Sequence, residues 1–154
     1  MDSQQVEVIG RNIIINQLTR AGIEVATPVR DRGIDLVAYL SKEEGATRFR
    51  ARPIQLKIAS DRDLSIYRKY EAFNDMVVVY VWRIAFDQDA EVYAVTTDEA
   101  LQIAEQRGWT QTNTWKDSGR YNDTGVTGPS QEAIAPYRIH PDGWREKLFP
   151  TEAM

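Results

Sequence analysis

Apolar residues recur at helical spacing near the start of the chain. Val6, Ile9, Ile13, Ile14, Leu18 and Ala21 share one side of a helix, Ser3 can cap it and Gly22 can stop it. The spacing predicts a helix over residues 4–21. "IEVATPV" at 23–29 then reads as a short strand interrupted by Pro28, "IDLVAYL" at 34–40 as a strand, "SKEEGATR" as an exposed connection and "FRARPIQLKIA" as the next strand. A hairpin is the economical way to join the last two strands. "SIYRKYEAF" at 65–73 is expected to be a short helix, and "MVVVYVWRI" a central strand. "DQDA" is a turn and "EVYAV" a further strand. "TTDEALQIAEQRG" has a Thr cap, acidic first-turn residues and a terminal Gly, and so predicts a helix. Residues 109–130 show no period and read as a long ordered loop region. A short helix is expected at 130–135. The expected fold is a mixed α/β single domain over 1–154, with its core at about 4–108 and a loop-rich extension at 109–154.

Alternation assigns faces within the two middle strands. Ile34, Leu36, Ala38 and Leu40 point one way, and Asp35 points the other with Val37 and Tyr39. In the next strand Ile54, Leu56 and Ile58 share a face, while Gln55 and Lys57 share the opposite one. Paired as a hairpin, these strands bring Asp35, Gln55 and Lys57 to one side of the sheet. Burying an unpaired amide costs a few kcal/mol, roughly, and an unpaired charge costs more. A structural Asp–Lys pair with an amide hydrogen bond is one account of the three. A bound ion is the other, because carboxylate and amide oxygens are hard ligands suited to Mg²⁺ or Mn²⁺. Lys57 could then orient a metal-bound water and stabilise charge on a scissile phosphate.

"RGIDLVAY" followed by "QLK" resembles the PD-(D/E)XK nuclease superfamily, which includes restriction endonucleases, junction resolvases and some homing endonucleases. The resemblance covers about residues 4–95. It implies a restriction endonuclease-like αβββαβ core: a mixed sheet flanked by helices. It also implies an endonuclease that cuts DNA, with Asp35 and Gln55 as ligands of Mg²⁺ or Mn²⁺ and Lys57 as a catalytic residue. Gln55 stands where the second acid usually stands, as it does in a group of homing endonucleases. The helical Glu of the pattern would fall at Arg11; Glu7, one turn earlier, is the candidate that takes its place. A domain this small implies a homo-oligomer for cutting double-stranded DNA. The alternative is a nuclease-like fold that no longer cuts and serves as a nucleic-acid or protein binding module.

Composition changes the picture little. Charged residues make up 27% and hydrophobic ones 42%, as in ordinary globular proteins. The absence of cysteine excludes disulfides and thiolate zinc sites. No apolar run has membrane-spanning length, and no basic leader precedes an apolar stretch, so a cytoplasmic location without a membrane partner is expected. The net charge of −4 argues against a general nucleic-acid binder. Residues 1–70, however, hold 12 Lys/Arg against 9 Asp/Glu, whereas residues 71–154 hold 7 against 14. Arg30, Arg32, Arg48, Arg50 and Arg52 are expected to border the site and clamp phosphates. Lys116 and Arg120 are further DNA-contact candidates, interleaved with Trp109, Trp115 and Tyr121. His140 lacks a Ser or Cys partner motif and reads as a loop residue.

Overall fold

The structure is a computed structural model that describes residues 1–41, 49–85 and 90–151. Helix α1 spans Ser3–Arg20 and buries Val6, Gly10, Ile14 and Leu18, four residues apart, against a sheet. Its cap is Asp2 rather than Ser3. The Asp2 carboxylate accepts from the Gln5 N–H, and the Gln5 side chain accepts from the Asp2 N–H. Gly22 follows with φ +79°, a left-handed conformation that ends the helix at little steric cost.

Strands β1 (Glu24–Ala26), β2 (Leu36–Leu40), β3 (Arg50–Ile58), β5 (Val77–Trp82) and β6 (Glu91–Thr96) form one sheet in the order β1-β2-β3-β5-β6. Only β3 and β5 are parallel; the other neighbours are antiparallel. The expected pairing of the two middle strands is present, with Leu36 opposite Ile54 and Leu40 opposite Arg50. Their connection at 42–48 lies outside the described residues, as does most of the expected "DQDA" turn. β5 is buried along its whole length, as its unbroken apolar run predicts for a central strand covered on both faces.

Helix α2 (Thr97–Gln106) carries the predicted signals. Thr96 Oγ1 accepts from the Glu99 N–H at 3.1 Å, and Glu99 returns the bond to the Thr96 N–H at 2.8 Å.

Two stretches differ from expectation. Residues 65–73 do not form an α-helix: Asp63–Tyr67 is strand β4, and a 3₁₀ turn follows at Arg68–Ala72. Residues 109–130 are not a loop. They hold helix α3 (Asn113–Ser118) and strand β7 (Arg120–Thr124), and β7 pairs antiparallel with β4 as a separate two-stranded sheet. The reason is long-range: β4 and β7 supply each other's ladder partners, which no local period records. α4 (Pro129–Ile134) matches the expected short helix, and α5 (Trp144–Leu148) closes the described chain.

The result is a mixed α/β fold with helices on both faces of the five-stranded sheet. One core joins α1 to Leu36, Ala38, Ile54, Val77, Val79 and Val81, with Trp144 and Leu148 of α5. The other joins Val78, Tyr80 and Trp82 to α2 and β4, with Trp109, Trp115 and Ile134. Among the described residues, no helix is long and apolar enough to cross a membrane.

Candidate functional site

The site lies where the β2–β3 ladder ends. Leu36↔Ile54 is the last pair, and Asp35 stands one residue before β2, beside the Ile54–Leu56 stretch of β3. Beyond that pair the β2-side edge of β3 has no strand partner, and Asp35 supplies one. Its N–H donates to the Ile54 carbonyl at 2.9 Å, and its Oδ2 accepts from the Leu56 N–H at 2.7 Å. The carboxylate is thus fixed against the β3 backbone at Leu56, the residue between Gln55 and Lys57. Its Oδ1 has no hydrogen-bond partner among the described residues.

Gln55 is only 9% exposed, and its Oε1 is buried without a hydrogen-bond donor. Such an orphan carbonyl costs about 1–3 kcal/mol unless a ligand satisfies it. Lys57 is partly buried, and its Nζ lies 4.4 Å from the centre of the Tyr67 ring on β4, a cation–π distance. Behind it lies Asp63, the first residue of β4. Burial holds the Asp63 carboxyl above the usual carboxylate range and Asp123 adds to the effect, while the Lys57 charge opposes both. Asp63 Oδ1 is also buried without a partner. Tyr67 is missed because the sequence predicts a helix over 65–73, and Asp63 is missed because it falls between the predicted strand and that helix. The alternation of Leu64 and Ile66 with polar neighbours was the strand signal available.

Two hard oxygens without donors among the described residues, Asp35 Oδ1 and Gln55 Oε1, come from the residue before β2 and from β3, where the Asp35 carboxylate binds the N–H that follows Gln55. This donor set fits an ion that takes few protein ligands and keeps its waters, as Mg²⁺ does. Among the described residues no group of three or more His, Cys, Asp or Glu side chains converges to hold a metal. Any ion here would therefore depend on the amide as well as the carboxylate.

The remaining expected residues divide. Glu7 is exposed on α1, one turn before Gly10, which packs on Ile58 next to Lys57. It is therefore at the same end of β3 but on the other face of the sheet, without a hydrogen bond or ion pair to a described residue. Arg30 and Arg32 are exposed in the segment leading into Asp35. Arg50 and Arg52 do not border the trio. Their positions alternate with Ala51 and Pro53 onto the Ile54 face, toward the other end of β3. There Arg50 stacks over Phe149 at 5.5 Å and donates to the Pro150 carbonyl at 3.4 Å, while Arg52 lines a cleft with residues 136–150. Arg48 lies outside the described residues. Lys116 is exposed on α3. Arg120 is exposed on β7 directly opposite Tyr67, and so stands near Lys57. Trp109 and Trp115 are buried core residues, and Tyr121 stacks on Trp109 at 4.7 Å, so these rings cover the core instead of presenting a platform for bases.

Comparison with protein-family models, with curated proteins and with solved structures returned no match.

Proposed function

We propose that the chain is a metal-dependent endonuclease of the restriction endonuclease-like kind that hydrolyses phosphodiester bonds in double-stranded DNA and works as a homo-oligomer. The observation that carries this reading is the buried, donorless Gln55 oxygen, next in the chain to the Leu56 N–H that holds the Asp35 carboxylate, with Lys57 two residues further on the same face of β3. A hydrophobic residue in place of Gln55 would avoid the cost, and a ligand bound at the oxygen would offset it. Asp35 and Gln55 would hold Mg²⁺ or Mn²⁺. When bound, the ion supplies positive charge that lowers the pKa of a coordinated water and offsets charge on the phosphate.

The chain's own residues do the rest. Asp35 is oriented by the Leu56 N–H, so its free oxygen has a fixed direction. Lys57 donates to a non-bridging phosphate oxygen as negative charge builds there, and the Tyr67 ring limits the ammonium's freedom beforehand. Water adds to phosphorus and releases a proton to solvent, the P–O bond to the leaving strand breaks, and the leaving oxygen takes up a proton from solvent.

A second reading, a nuclease-like module that binds without cutting, is favoured by the Lys57–Tyr67 contact, because an ammonium resting on a ring can be purely structural. Nicking of supercoiled plasmid in Mg²⁺ or Mn²⁺ separates the two. The nuclease reading expects cleavage that EDTA stops, and that Lys57→Ala or Asp35→Asn abolishes in a protein that still folds. Folded wild type that never cuts would leave the binding module.

A further inference from the structure

We propose that the cleft beside Lys57, between residues 67–72 and 118–120, is a track for the phosphate backbone, and that Lys69 and Arg120 there hold the DNA strand next to the cleaved bond without reading its bases. The choice of DNA rests on the nuclease reading above; the geometry of the cleft does not.

The cleft has a volume of about 900 Å³ and opens to solvent. Lys57 Nζ lies 4.4 Å and Lys69 Nζ 5.0 Å from the centre of the same Tyr67 ring. Tyr67 is the register partner of Arg120, and residues directly opposed on paired strands project to the same side. Two ammonium groups thus rest on one tyrosine, and a third cation stands opposite it on the neighbouring strand. The ring's electron-rich faces offset part of their repulsion. Glu71 is the sole carboxylate among the described residues that line the cleft. The local excess of cations is not a product of composition, because the whole chain carries a net charge of −4. An anion in the cleft relieves the remaining repulsion.

Arg68 also lines the cleft but has another task. Its guanidinium donates to the carbonyls of Trp115 and Lys116, which caps the C-terminal end of α3 and fixes the cleft wall. Lys69 and Arg120 are exposed, and no hydrogen bond or ion pair engages their charged ends among the described residues. Their charges point to phosphate. The Tyr67 ring already carries two ammonium groups, so it is not available as a stacking surface, and the predicted contact is indifferent to sequence. The Lys57–Tyr67–Lys69 row makes the cleft continuous with the candidate site.

The test is binding of a short fluorescein-labelled DNA duplex in EDTA, followed by anisotropy across a salt series. Lys69→Ala and Arg120→Ala change exposed side chains and should leave the fold intact, which circular dichroism checks. Each should reduce the slope of log affinity against log salt by about 0.9, and the double variant should bind roughly tenfold or more weakly at moderate salt. Arg20→Ala, an equal loss of charge on α1, should leave the slope unchanged. The track is overturned if the wild type does not bind, if the two variants bind like wild type, or if Arg20→Ala weakens binding equally. Plasmid cleavage with binding indifferent to Lys69 and Arg120 would remove the track and keep the nuclease. Binding that depends on both residues without cleavage would do the reverse.

Discussion

The amide oxygen of Gln55 is buried without a donor, which costs about 1–3 kcal/mol in the unliganded protein. Two substitutions exploit that cost. Gln55→Leu removes the orphan at similar volume, so it should raise the free energy of unfolding by an amount of that order and abolish Mn²⁺ binding. Gln55→Glu adds charge at the same place, so it should destabilise the metal-free protein and tighten Mn²⁺ binding. Urea unfolding and calorimetric titration read the two effects separately; a Leu variant that still binds Mn²⁺ would remove Gln55 from the site. Asp63 offers a pH-dependent counterpart. Burial raises its folded pKa above the unfolded value, so the fold favours the protonated form. The associated stability is present at pH below the unfolded value and is lost as pH rises through the folded one. Asp63→Asn keeps a neutral group at every pH. Its Tm should exceed that of wild type at neutral pH, and the two should converge as pH falls below the carboxylate range. Equal Tm values at neutral pH would mean that Lys57 offsets the burial completely.

At the scale of elements, α1 and β3 meet at one point of close approach. A Cβ built on Gly10 would lie 2.4 Å from Ile58 Cγ2, well inside contact distance. Alanine is the better helix former by about 1 kcal/mol, but overpacking a filled contact costs about 1–3 kcal/mol. Gly10→Ala should therefore destabilise the protein. Adding Ile58→Ala opens the space, and the double variant should be more stable than the sum of the two single changes by about 1 kcal/mol, read by a urea double-mutant cycle. Simple additivity would show that the helix shifts to accommodate the methyl group. Because Ile58 follows Lys57, the same contact fixes the height of α1 over the strand that carries the site. β4 illustrates the opposite situation. "SIYRKYEAF" contains good helix formers, yet the Arg68 N–H donates to the Gly119 carbonyl at 2.7 Å and β4 pairs along its whole length with β7. Tertiary pairing overrides local propensity, and it turns Tyr67 toward Lys57.

At the scale of the molecule, residues 109–151 form part of both cores and are no appendage. Trp109, Trp115 and Ile134 fill one core, and Trp144, Leu148 and Phe149 fill the other. Trp144 is fully buried, and its indole N–H donates to Gln17 Oε1 at 2.8 Å, tying the end of the chain to the first helix. Trp144→Ala should cost about 3–5 kcal/mol in urea unfolding with little change in the denaturant slope. A loss below 1 kcal/mol would mean that the C-terminal segment can leave the core without consequence.

Local physics made much of this legible in the sequence alone. Helical spacing and a glycine stop determine α1, a capping box and a glycine stop determine α2, an unbroken apolar run determines β5, and strict alternation determines which face of β3 carries Gln55 and Lys57. Each of these signals is local in the sequence. The tertiary structure alone decided that Gln55 Oε1 lacks a donor, that Lys57 rests on Tyr67 with Lys69 beside it, and that Arg50 and Arg52 face the C-terminal segment. Those facts depend on hydrogen-bond partners and charges that lie far apart in the chain, and they become neighbours only when burial of the apolar faces draws the two cores together.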